Sequence, residues 1–472
     1  METPNPNGVY DLIVLGGGSA GSAAAAEAVK LGLKRVLVIN DGELGGLCIL
    51  RGCMPTKTLL ASTDLLHDLR HGPELGIELA PPRFDFAVMM ARKRALVARF
   101  QRAKVGAMES GGYAILDARA RFVAPDAIEA KGQRYRANTF LIATGSRLSV
   151  PPIPGLDSIE YLHSDTLLEL ETPPRSLLVH GAGAVGLEFA TFFAGLGTKV
   201  TLVNRSPLLN RGEDPILAAQ MAKILELAGV RLRIGAYVTA IESTDAGVLA
   251  QVDGPLGPEP IEAERYLLAL GREANLEGLD LAAAGIQAVG SQLVLDGCLA
   301  TTNPAVFAAG DATNDRQILH TGNMEGRHVA HNARLRRDGR PPVPWSEDVP
   351  LFAVFTHPPY AQTGLLESEA RERGLDVVVA RKNFANQGRG IVMGVVPDAG
   401  SAKLIAERGT GRLVGAQLLC PRADDLIHVA SSVLHFRGGA QDLVRMPWYH
   451  PTLSEIFVEL GRELLAKAGA PG

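Results

Sequence analysis

The amino-acid sequence predicts a multidomain α/β protein. Two segments, residues 10–31 and 176–196, each combine a short apolar strand, a G-x-G-x-x-G turn and a helix rich in Ala or Leu. After Val349 the sequence alternates between strand-like and helix-like patterns without such a turn. The 472 residues accommodate about three domains at roughly 150 residues each. We therefore predict two doubly wound parallel-sheet domains and a third, C-terminal α+β domain.

The first Gly-rich turn follows an apolar strand at residues 10–15 and precedes a helix at residues 22–31. An apolar run at residues 35–39 completes a βαβ unit, in which such glycines let a dinucleotide pyrophosphate approach the helix N-terminus. Asn40 occupies the end of this second strand, so Asp41 is the nearest carboxylate for a ribose hydroxyl. The glycines of this motif are Gly16, Gly18 and Gly21.

A second βαβ unit, formed by residues 176–180, 187–196 and 199–203, contains another turn of this type. Two such fingerprints, each in its own unit, predict two Rossmann-like domains that bind two dinucleotides. The second unit ends in Asn204 and Arg205 rather than in a carboxylate, and an arginine there can accommodate the 2′-phosphate of NADP. The alternative is that Arg205 is a solvated surface charge. The glycines of this motif are Gly181, Gly183 and Gly186.

Changes in composition indicate the domain boundaries. Residues 149–155 are rich in proline and mark the end of the first domain. Residues 267–272 resemble the strand-to-glycine turn at residues 140–146, so the chain is expected to return to the first domain there. A further strand is predicted to end in Gly310 and Asp311. The carboxylate of Asp311 then either faces a polar ligand or caps a helix. The predicted domains are residues 1–150, 151–275, 276–347 and 348–472.

Two cysteines form the most informative local motif. Cys48 and Cys53 are five positions apart, and Pro55 and Lys57 follow them. In an ideal helix, residues at this spacing lie roughly 8–9 Å apart, whereas a disulfide needs Cα atoms within about 7 Å. The backbone must therefore bend, and Gly52 permits the bend. A ring this short restrains an unfolded chain very little, which indicates chemistry rather than a structural crosslink. The alternative is a neighbouring pair of buried, apolar cysteines.

A second candidate catalytic group lies near the end of the sequence. His450 precedes Pro451, and Glu455 follows five residues after the histidine. The proline fixes a turn, and a carboxylate at this spacing can orient an imidazole as a general base. The alternative is a structural histidine.

Composition excludes several classes of function. The net charge of −4 gives no electrostatic reason to expect nucleic acid or an anionic membrane as a partner. No apolar run is long enough to span a bilayer. Four cysteines in 472 residues are too few for a secreted disulfide scaffold. We expect a soluble, cytoplasmic protein.

Taken together, these motifs resemble the class I pyridine nucleotide–disulfide oxidoreductases. The resemblance rests on the cysteine motif, both Gly-rich turns, Gly310-Asp311 and the terminal His-Pro-Thr-Leu-Ser-Glu sequence at residues 450–455, in this order over nearly the whole chain. It implies an FAD domain that is split around an NAD(P) domain, followed by an interface domain that forms a homodimer. It also implies that Cys48 and Cys53 form a redox-active disulfide.

The resemblance implies roles for further residues. Lys57 is expected to pair with Glu188 beside the flavin, and Asp311 to hold the ribityl chain. His450 and Glu455 are expected to act on the cysteines of the opposite subunit. Further positions expected to contact a cofactor are Ala120, Thr144, Gly145, Val238 and Gly271.

Within the family, the terminal motif most resembles that of the dihydrolipoamide dehydrogenases, whereas mercuric reductases carry an aromatic residue in place of His450. The implied reaction passes electrons from a free or protein-bound lipoyl dithiol through Cys48 and Cys53 and FAD to NAD+. The alternatives are an NADPH-dependent disulfide or metal-ion reductase and a non-catalytic redox-sensing flavoprotein. Leu47, Leu50 and Arg51 replace the family's usual Thr, Asn and small apolar residue, changes that bear on the redox potential and the thiol pKa of the pair and not on the disulfide itself.

Overall fold

A computed structural model describes residues 4–78, 80, 82–209, 214–347, 349–396 and 399–469. The chain forms two compact units. The first unit comprises Met1–Thr58, Val88–Ser149 and Gly271–Glu347, and the second comprises Leu59–Ala87, Val150–Leu270 and Asp348–Gly472.

The strands, in chain order, are β1 Val9–Tyr10, β2 Leu12–Leu15, β3 Val36–Asn40, β4 Ala114–Asp117, β5 Ala120–Ala124, β6 Ala127–Ala130, β7 Gln133–Ala137, β8 Phe140–Ile142, β9 Ser146–Leu148, β10 Ser176–His180, β11 Lys199–Asn204, β12 Arg231–Ile234, β13 Tyr237–Thr244, β14 Gly247–Asp253, β15 Glu259–Ala263, β16 Arg265–Leu268, β17 Arg272–Ala274, β18 Ala288–Val289, β19 Gln292–Leu293, β20 Val306–Ala308, β21 Leu351–Val354, β22 Tyr360–Gly364, β23 Val377–Asn383, β24 Ser401–Glu407 and β25 Leu413–Leu419.

The α-helices are α1 Ser19–Lys30, α2 Gly46–Leu50, α3 Cys53–Arg70, α4 Phe86–Glu109, α5 Ala184–Gly195, α6 Pro215–Leu227, α7 Leu319–Arg337, α8 Glu367–Glu372, α9 Gly388–Val392, α10 Ala423–His435, α11 Ala440–Arg445 and α12 Ile456–Ala468. Among the described residues, none of these helices is both long and apolar enough to cross a membrane.

The first unit is built on a five-stranded parallel sheet in the order β20-β8-β2-β3-β4. Its central strand β2 is fully apolar and buried, as expected for a parallel strand covered on both faces. Helices α1 and α7 pack against each other by close backbone approach, because a Cβ on Gly326 would lie only 2.2 Å from the carbonyl oxygen of Ala20. The three-residue turn between Leu15 and Ser19 places the N-terminus of α1 at the carboxyl end of β2.

The second unit contains a four-stranded parallel sheet in the order β12-β11-β10-β16, with α5 connecting β10 to β11. It also contains a five-stranded antiparallel sheet in the order β21-β22-β25-β24-β23. Helices α10 and α12 share an apolar core with this antiparallel sheet. Ile427 of α10 and Leu460 and Leu464 of α12 are buried in that core. The antiparallel sheet belongs to the C-terminal part of the chain.

The predicted fold class is confirmed, since both Gly-rich turns lie between the first strand and the first helix of a parallel βαβ unit. The predicted domain limits stay a prediction. The sequence also indicated that the C-terminal segment lacks a nucleotide turn, and the structure places an antiparallel sheet there.

Candidate active site

The cysteine motif lies where two helices meet. Cys48 lies in α2, Cys53 is the first residue of α3, and Arg51 and Gly52 connect the two helices. A Cβ on Gly52 would lie 3.0 Å from the carbonyl oxygen of Leu47 and 3.2 Å from the Cα atom of Cys48. Glycine therefore allows the tight approach that brings the second cysteine back towards the first.

Both cysteines are free thiols in this structure, and their side chains are hydrogen-bonded to each other. This hydrogen bond, followed by burial and by the nearby charge of Cys53, raises the pKa of Cys48. Two opposing effects lower the pKa of Cys48, namely the backbone N–H of Cys53 and the positive charge of Lys57. The protonation of Cys48 therefore depends on its neighbour Cys53 as well as on its burial.

A lysine that the sequence analysis missed also faces this pair. Lys104 is half-buried on α4, and burial lowers the pKa of its ammonium group, while the charge of Cys48 raises that pKa. One turn earlier on α4, the Nε2 atom of Gln101 donates to the carbonyl oxygen of Leu44 at 3.2 Å, which holds α4 against the segment before Cys48. No sequence motif marks Lys104, because its proximity depends on how α4 packs.

The first Gly-rich turn has the geometry of a phosphate cradle. A Cβ on Gly16 would lie 2.2 Å from the carbonyl oxygen of Ala143, and a Cβ on Gly21 would lie 1.9 Å from that of Gly16. On Gly18 the nearest atom to a Cβ would be 3.7 Å away, so this face of the turn is open. These residues fit a dinucleotide pyrophosphate at the N-terminus of α1.

Asparagine, rather than a carboxylate, ends the second strand of this unit. The Oδ1 atom of Asn40 accepts the backbone N–H of Gly17 at 2.8 Å, and its Nδ2 atom donates to the carbonyl oxygen of Gly42 at 2.9 Å. Asn40 therefore supports the turn itself. Asp41 is exposed beside it, and its role at a ribose stays a prediction.

Asp311 belongs to a polar cluster at the carboxyl end of β20. Its Oδ2 atom accepts the hydroxyl of Ser146 at 2.6 Å, and the guanidinium of Arg272 donates to the Oγ and carbonyl oxygens of Ser146 at 2.9 Å each. Nearby, the hydroxyl of Thr144 donates to the carbonyl oxygen of Asn275 at 2.6 Å. The half-buried Asp311 carboxylate is thus held in position beside the strand ends, which fits a polar part of a cofactor.

A buried glutamate, Glu325, supports the backbone at Gly310, directly before Asp311. The Oε2 atom of Glu325 accepts the backbone N–H of Gly310 at 2.6 Å, and Glu325 is 1% exposed. Burial raises the pKa of Glu325 to about 8, and the neighbouring Asp315, Glu347 and Asp311 add to this shift.

The second Gly-rich turn repeats the construction of the first. A Cβ on Gly181 would lie 2.4 Å from the carbonyl oxygen of Ala269, and a Cβ on Gly186 would lie 1.9 Å from that of Gly181. A Cβ on Gly183 would have no neighbour within 4 Å. The turn therefore fits a second dinucleotide, NAD or NADP.

Asn204 supports the second turn as Asn40 supports the first. Its Oδ1 atom accepts the backbone N–H of Ala182 at 3.3 Å, and its Nδ2 atom donates to the carbonyl oxygens of Ser206 and Leu208. Arg205 is exposed next to it. The guanidinium therefore lies at the end of β11, where a nucleotide ribose is expected.

The remaining predicted cofactor positions lie at strand ends or turns. Ala120 begins β5, and Val238 lies near the start of β13, where Ala236 donates its N–H to the carbonyl oxygen of Asn204 at 3.0 Å. Gly145 and Gly271 both have positive φ angles, of 72° and 106°. Their contacts with cofactors stay predictions.

Glu188 is buried on α5 in the second unit, and its Oε1 atom accepts the backbone N–H of Phe355 at 3.1 Å. Lys57 is a half-buried residue of the first unit, in the first turns of α3. Their pairing beside the flavin stays a prediction.

The terminal histidine and glutamate are in contact. The Nδ1 atom of His450 lies 3.0 Å and 3.2 Å from the two carboxylate oxygens of Glu455. The N–H of Thr452, followed by His450, lowers the pKa of Glu455, so that the carboxylate is charged at neutral pH. The side chain of His450 is 78% exposed, and that of Glu455 is 21% exposed. The carboxylate thus holds Nδ1 and leaves Nε2 facing outwards.

The other two cysteines do not belong to this site. Cys420 is fully buried at the end of β25, where burial raises the pKa of its thiol well above the usual range. Cys298 is half-buried in a turn of the first unit. Both are free thiols.

Comparison with known proteins decides the family. The family model described as "Pyridine nucleotide-disulphide oxidoreductase" matches residues 10–334, and the model of the corresponding dimerisation domain matches residues 351–460. The chain belongs to the pyridine nucleotide–disulfide oxidoreductase family. It is thus a flavin-dependent oxidoreductase that binds FAD and NAD(P), as the two Gly-rich turns predicted.

Several members of the family resemble this chain over most of its length. A mercuric reductase from Bacillus cereus is 34% identical over 437 residues, which are 92% of this chain and 68% of the relative. A dihydrolipoyl dehydrogenase from Thermus scotoductus is 33% identical over 464 residues, or 97% of this chain and 98% of the relative. These two relatives have different substrates at nearly equal identity, so identity alone does not assign a substrate.

The fold is also similar to that of solved members. The HOCl-induced flavoprotein disulfide reductase RclA from Escherichia coli has a TM-score of 0.82 and 28% identity, with 96% of this chain and 99% of that chain covered. LpdA from Mycobacterium tuberculosis has a TM-score of 0.85 and 27% identity, with the same coverage.

Proposed function

We propose that this protein is a dihydrolipoamide dehydrogenase, which oxidises a lipoyl dithiol and reduces NAD+. The observation that carries the proposal is the contact between His450 and Glu455. A dithiol must lose a proton before it can attack a disulfide, because the thiolate is the nucleophile. An exposed imidazole whose other nitrogen is held by a carboxylate at 3.0 Å is suited to accept that proton.

The thiol step follows from these groups. In the oxidised enzyme the Nε2 atom of His450 accepts a proton from one substrate thiol, and the resulting thiolate attacks the Sγ atom of Cys48. The bond between Cys48 and Cys53 breaks, and Cys53 leaves as a thiolate. The second substrate thiol then gives its proton to the departing sulfur of Cys48 and attacks the substrate sulfur of the mixed disulfide, so that Cys48 is released as a thiol. One substrate proton is then on His450 and the other is on Cys48. The substrate loses two electrons and two protons, and the cysteine pair gains the two electrons.

The surroundings of the reduced cysteines support a mechanism in which the substrate attacks Cys48 and Cys53 leaves. The hydrogen bond to Cys53 is the first of the causes that raise the pKa of Cys48, which agrees with Cys53 as the thiolate that leaves. Lys57 and Lys104 place positive charges near the pair and offset the burial of the thiolate charge. FAD, when bound, supplies the transfer of the electron pair from this dithiol to the nicotinamide.

The cofactor sites fit this assignment. The first Gly-rich turn and Asp311 belong to the same unit as the cysteines and would hold FAD there. The second turn would hold the pyridine nucleotide, with Asn204 supporting the turn. His450 of one subunit would serve Cys48 of the other, because the family's dimerisation domain includes residue 450.

A second candidate function has a specific observation in its favour. β11 ends in Asn204 and the exposed Arg205 instead of a carboxylate, which favours NADP. The relatives include mercuric reductases, and a Cu(II) complex of RclA is among the similar structures. The second candidate is therefore an NADPH-dependent disulfide or metal-ion reductase.

Steady-state kinetics of the FAD-loaded enzyme separates the two candidates. We expect turnover of dihydrolipoamide with NAD+ and much weaker turnover with NADP+. NADPH oxidation with a disulfide or metal-ion acceptor, without dihydrolipoamide oxidation, would instead assign the reductase function and make Arg205 the residue to replace next.

Replacement of the proposed base tests the mechanism. His450→Gln is expected to lower kcat for dihydrolipoamide oxidation by about 10²–10⁴-fold, as for the loss of a general base. His435→Gln removes another exposed imidazole of the same unit and serves as the matched control, with an unchanged rate. Cys48→Ser should abolish thiol turnover while FAD absorbance is retained. A wild-type rate in His450→Gln would show that the base is elsewhere.

A further inference from the structure

A cluster of histidines and aspartates lies in the second unit. The last two turns of α3 place Asp64, His67 and Asp68 on one helix face, since their spacings from Asp64 are three and four residues. His71 directly follows the last residue of this helix. His357, which follows β21, packs against this face, and its ring centroid lies 4.0 Å from that of His67. The sequence analysis did not predict this cluster.

His357 lies between two carboxylates. Its Nδ1 atom is 3.2 Å from the Oδ1 atom of Asp64, and its Nε2 atom is 3.8 Å from the Oδ1 atom of Asp68. The first contact is a hydrogen bond and the second is too long for one. Asp64 can therefore hold a proton on Nδ1 of His357, which leaves the Nε2 atom, on the side of Asp68, as the atom that would bind an ion.

His67 contributes a second imidazole. Within the part of the chain that the structure describes, its Nδ1 atom is buried and has no hydrogen-bond partner. A buried imidazole nitrogen without a partner is costly unless something else binds it.

We propose that His67, Asp68 and His357 bind a divalent transition-metal ion, with Asp64 orienting His357. One ligand atom from each of the three residues lies within 4.8 Å of the other two. Two ligands at about 2.1 Å from a common ion are roughly 3.4 Å apart at a tetrahedral angle and about 4.2 Å apart on opposite sides. The 3.8 Å between Nε2 of His357 and Oδ1 of Asp68 falls in this range.

The limit of 4.8 Å exceeds the separation of about 4.2 Å that two ligands of one ion allow, so binding requires a small rotation of these side chains. The side chain of Asp68 is 72% exposed, so its carboxylate can rotate towards the two imidazoles. His71 is the neighbour of His67, with ring centroids 4.7 Å apart, but its Nδ1 atom is held by Glu74 at 3.1 Å. His71 therefore flanks the proposed site rather than belonging to it.

The donor set indicates which ions would bind. Two imidazole nitrogens and one carboxylate oxygen suit Zn²⁺, Cu²⁺ or Ni²⁺, whereas Mg²⁺ and Ca²⁺ prefer oxygen ligands. With three protein ligands, the fourth position of a tetrahedral ion is left to water. A bound ion would join the C-terminal turns of α3 to the segment after β21 and stabilise the second unit against unfolding.

Calorimetric titration with Zn²⁺ tests the proposal on the FAD-loaded protein, after Cys48 and Cys53 have been reduced and capped with iodoacetamide. The cap removes the thiols as competing ligands. We expect one saturable Zn²⁺ per chain. Asp64→Asn is expected to weaken the binding by about 10–100-fold, as is typical when the partner of a metal-bound histidine is lost. His357→Gln is expected to weaken it at least as much.

His435→Gln removes an exposed histidine of α10 and is the matched control, with unchanged Zn²⁺ binding. Cu²⁺ electron paramagnetic resonance of the capped protein should show coupling to two nitrogens, and to one nitrogen in His357→Gln. Flavin absorbance and the metal-free melting temperature check that each variant folds. Absence of stoichiometric Zn²⁺ binding in the wild type, or full retention of it in His357→Gln, would overturn the proposal.

Discussion

The charge on the thiol pair depends on residues that lie far apart in the sequence. Lys57 follows the cysteines directly, whereas Lys104 reaches Cys48 from α4. Lys104 is half-buried, and burial lowers the pKa of its ammonium group, while the charge of Cys48 restores part of that pKa. By reciprocity, the ammonium favours the thiolate form of Cys48. Lys104 is thus an electrostatic partner of the pair that no motif identifies.

Removal of the Lys104 charge should make the reduced Cys48 and Cys53 pair react more slowly with an alkylating reagent. In Lys104→Met, the pKa of the pair is expected to rise, and alkylation of the reduced FAD-loaded enzyme by iodoacetamide near neutral pH should slow by roughly three- to tenfold. The measurement is the alkylation rate as a function of pH. Arg102→Met removes an exposed cation from the same helix and should behave as wild type. Identical pH profiles for the two variants would show that Lys104 has no influence on the pair.

At the scale of elements, α6 is held to the C-terminal sheet by a buried ionic cluster. Asp214, the N-cap of α6, is 2.7 Å from Arg381 on β23 and 2.5 Å from Lys403 on β24. Lys403 is also 2.7 Å from Glu367 on α8. Burial alone would raise the pKa of Asp214, but its hydrogen bonds to Arg381 and Lys403 lower that pKa well below the usual range.

Disruption of this cluster should destabilise the second unit. The side chain of Lys403 is 2% exposed. Lys403→Met removes the ammonium group from its two carboxylate partners, Asp214 and Glu367, and is expected to lower the free energy of unfolding by about 3–5 kcal/mol. Because the pKa of folded Asp214 is depressed, its contribution is present above its unfolded pKa of about 3.9 and is lost as the pH falls further. The difference in melting temperature between wild type and variant should therefore shrink below about pH 4.

The control for this prediction is an exposed ion pair in the same unit. Lys467 pairs with Glu463 at 2.7 Å and is 48% exposed, so Lys467→Met should cost less than about 1 kcal/mol. Equal melting temperatures for the two variants at neutral pH would contradict the assigned importance of Lys403.

At the scale of the whole molecule, local backbone requirements were predictable from the sequence and distant side-chain contacts were not. Each Gly-rich turn was recognisable because a Cβ on Gly21 or Gly186 would lie 1.9 Å from a carbonyl oxygen. By contrast, 293 positions separate Asp64 from His357, and only the tertiary fold brings them together. The strand-end asparagines were noticed in the sequence only as missing carboxylates, whereas the structure uses Asn40 to support its turn.

The exposure of His450, the proposed base, bears on how two copies of the chain associate. His450 is 78% exposed although a general base needs a defined substrate site. Nearby Tyr449 is 84% exposed and Met446 is 40% exposed, and both lie within the matched dimerisation domain. An apolar, exposed surface around a catalytic group is expected where a second copy of the chain completes the site.

A mixed dimer tests whether the subunits share their active sites. Neither Cys48→Ser nor His450→Gln homodimers should oxidise dihydrolipoamide efficiently. When the two variants are co-expressed with different tags and the mixed dimer is isolated, one of its two sites combines an intact Cys48 with an intact His450 from the other subunit. That dimer should therefore show roughly half of the wild-type kcat per dimer. If each site were built from a single chain, both sites of the mixed dimer would carry a defect and turnover would remain at the level of the parent variants.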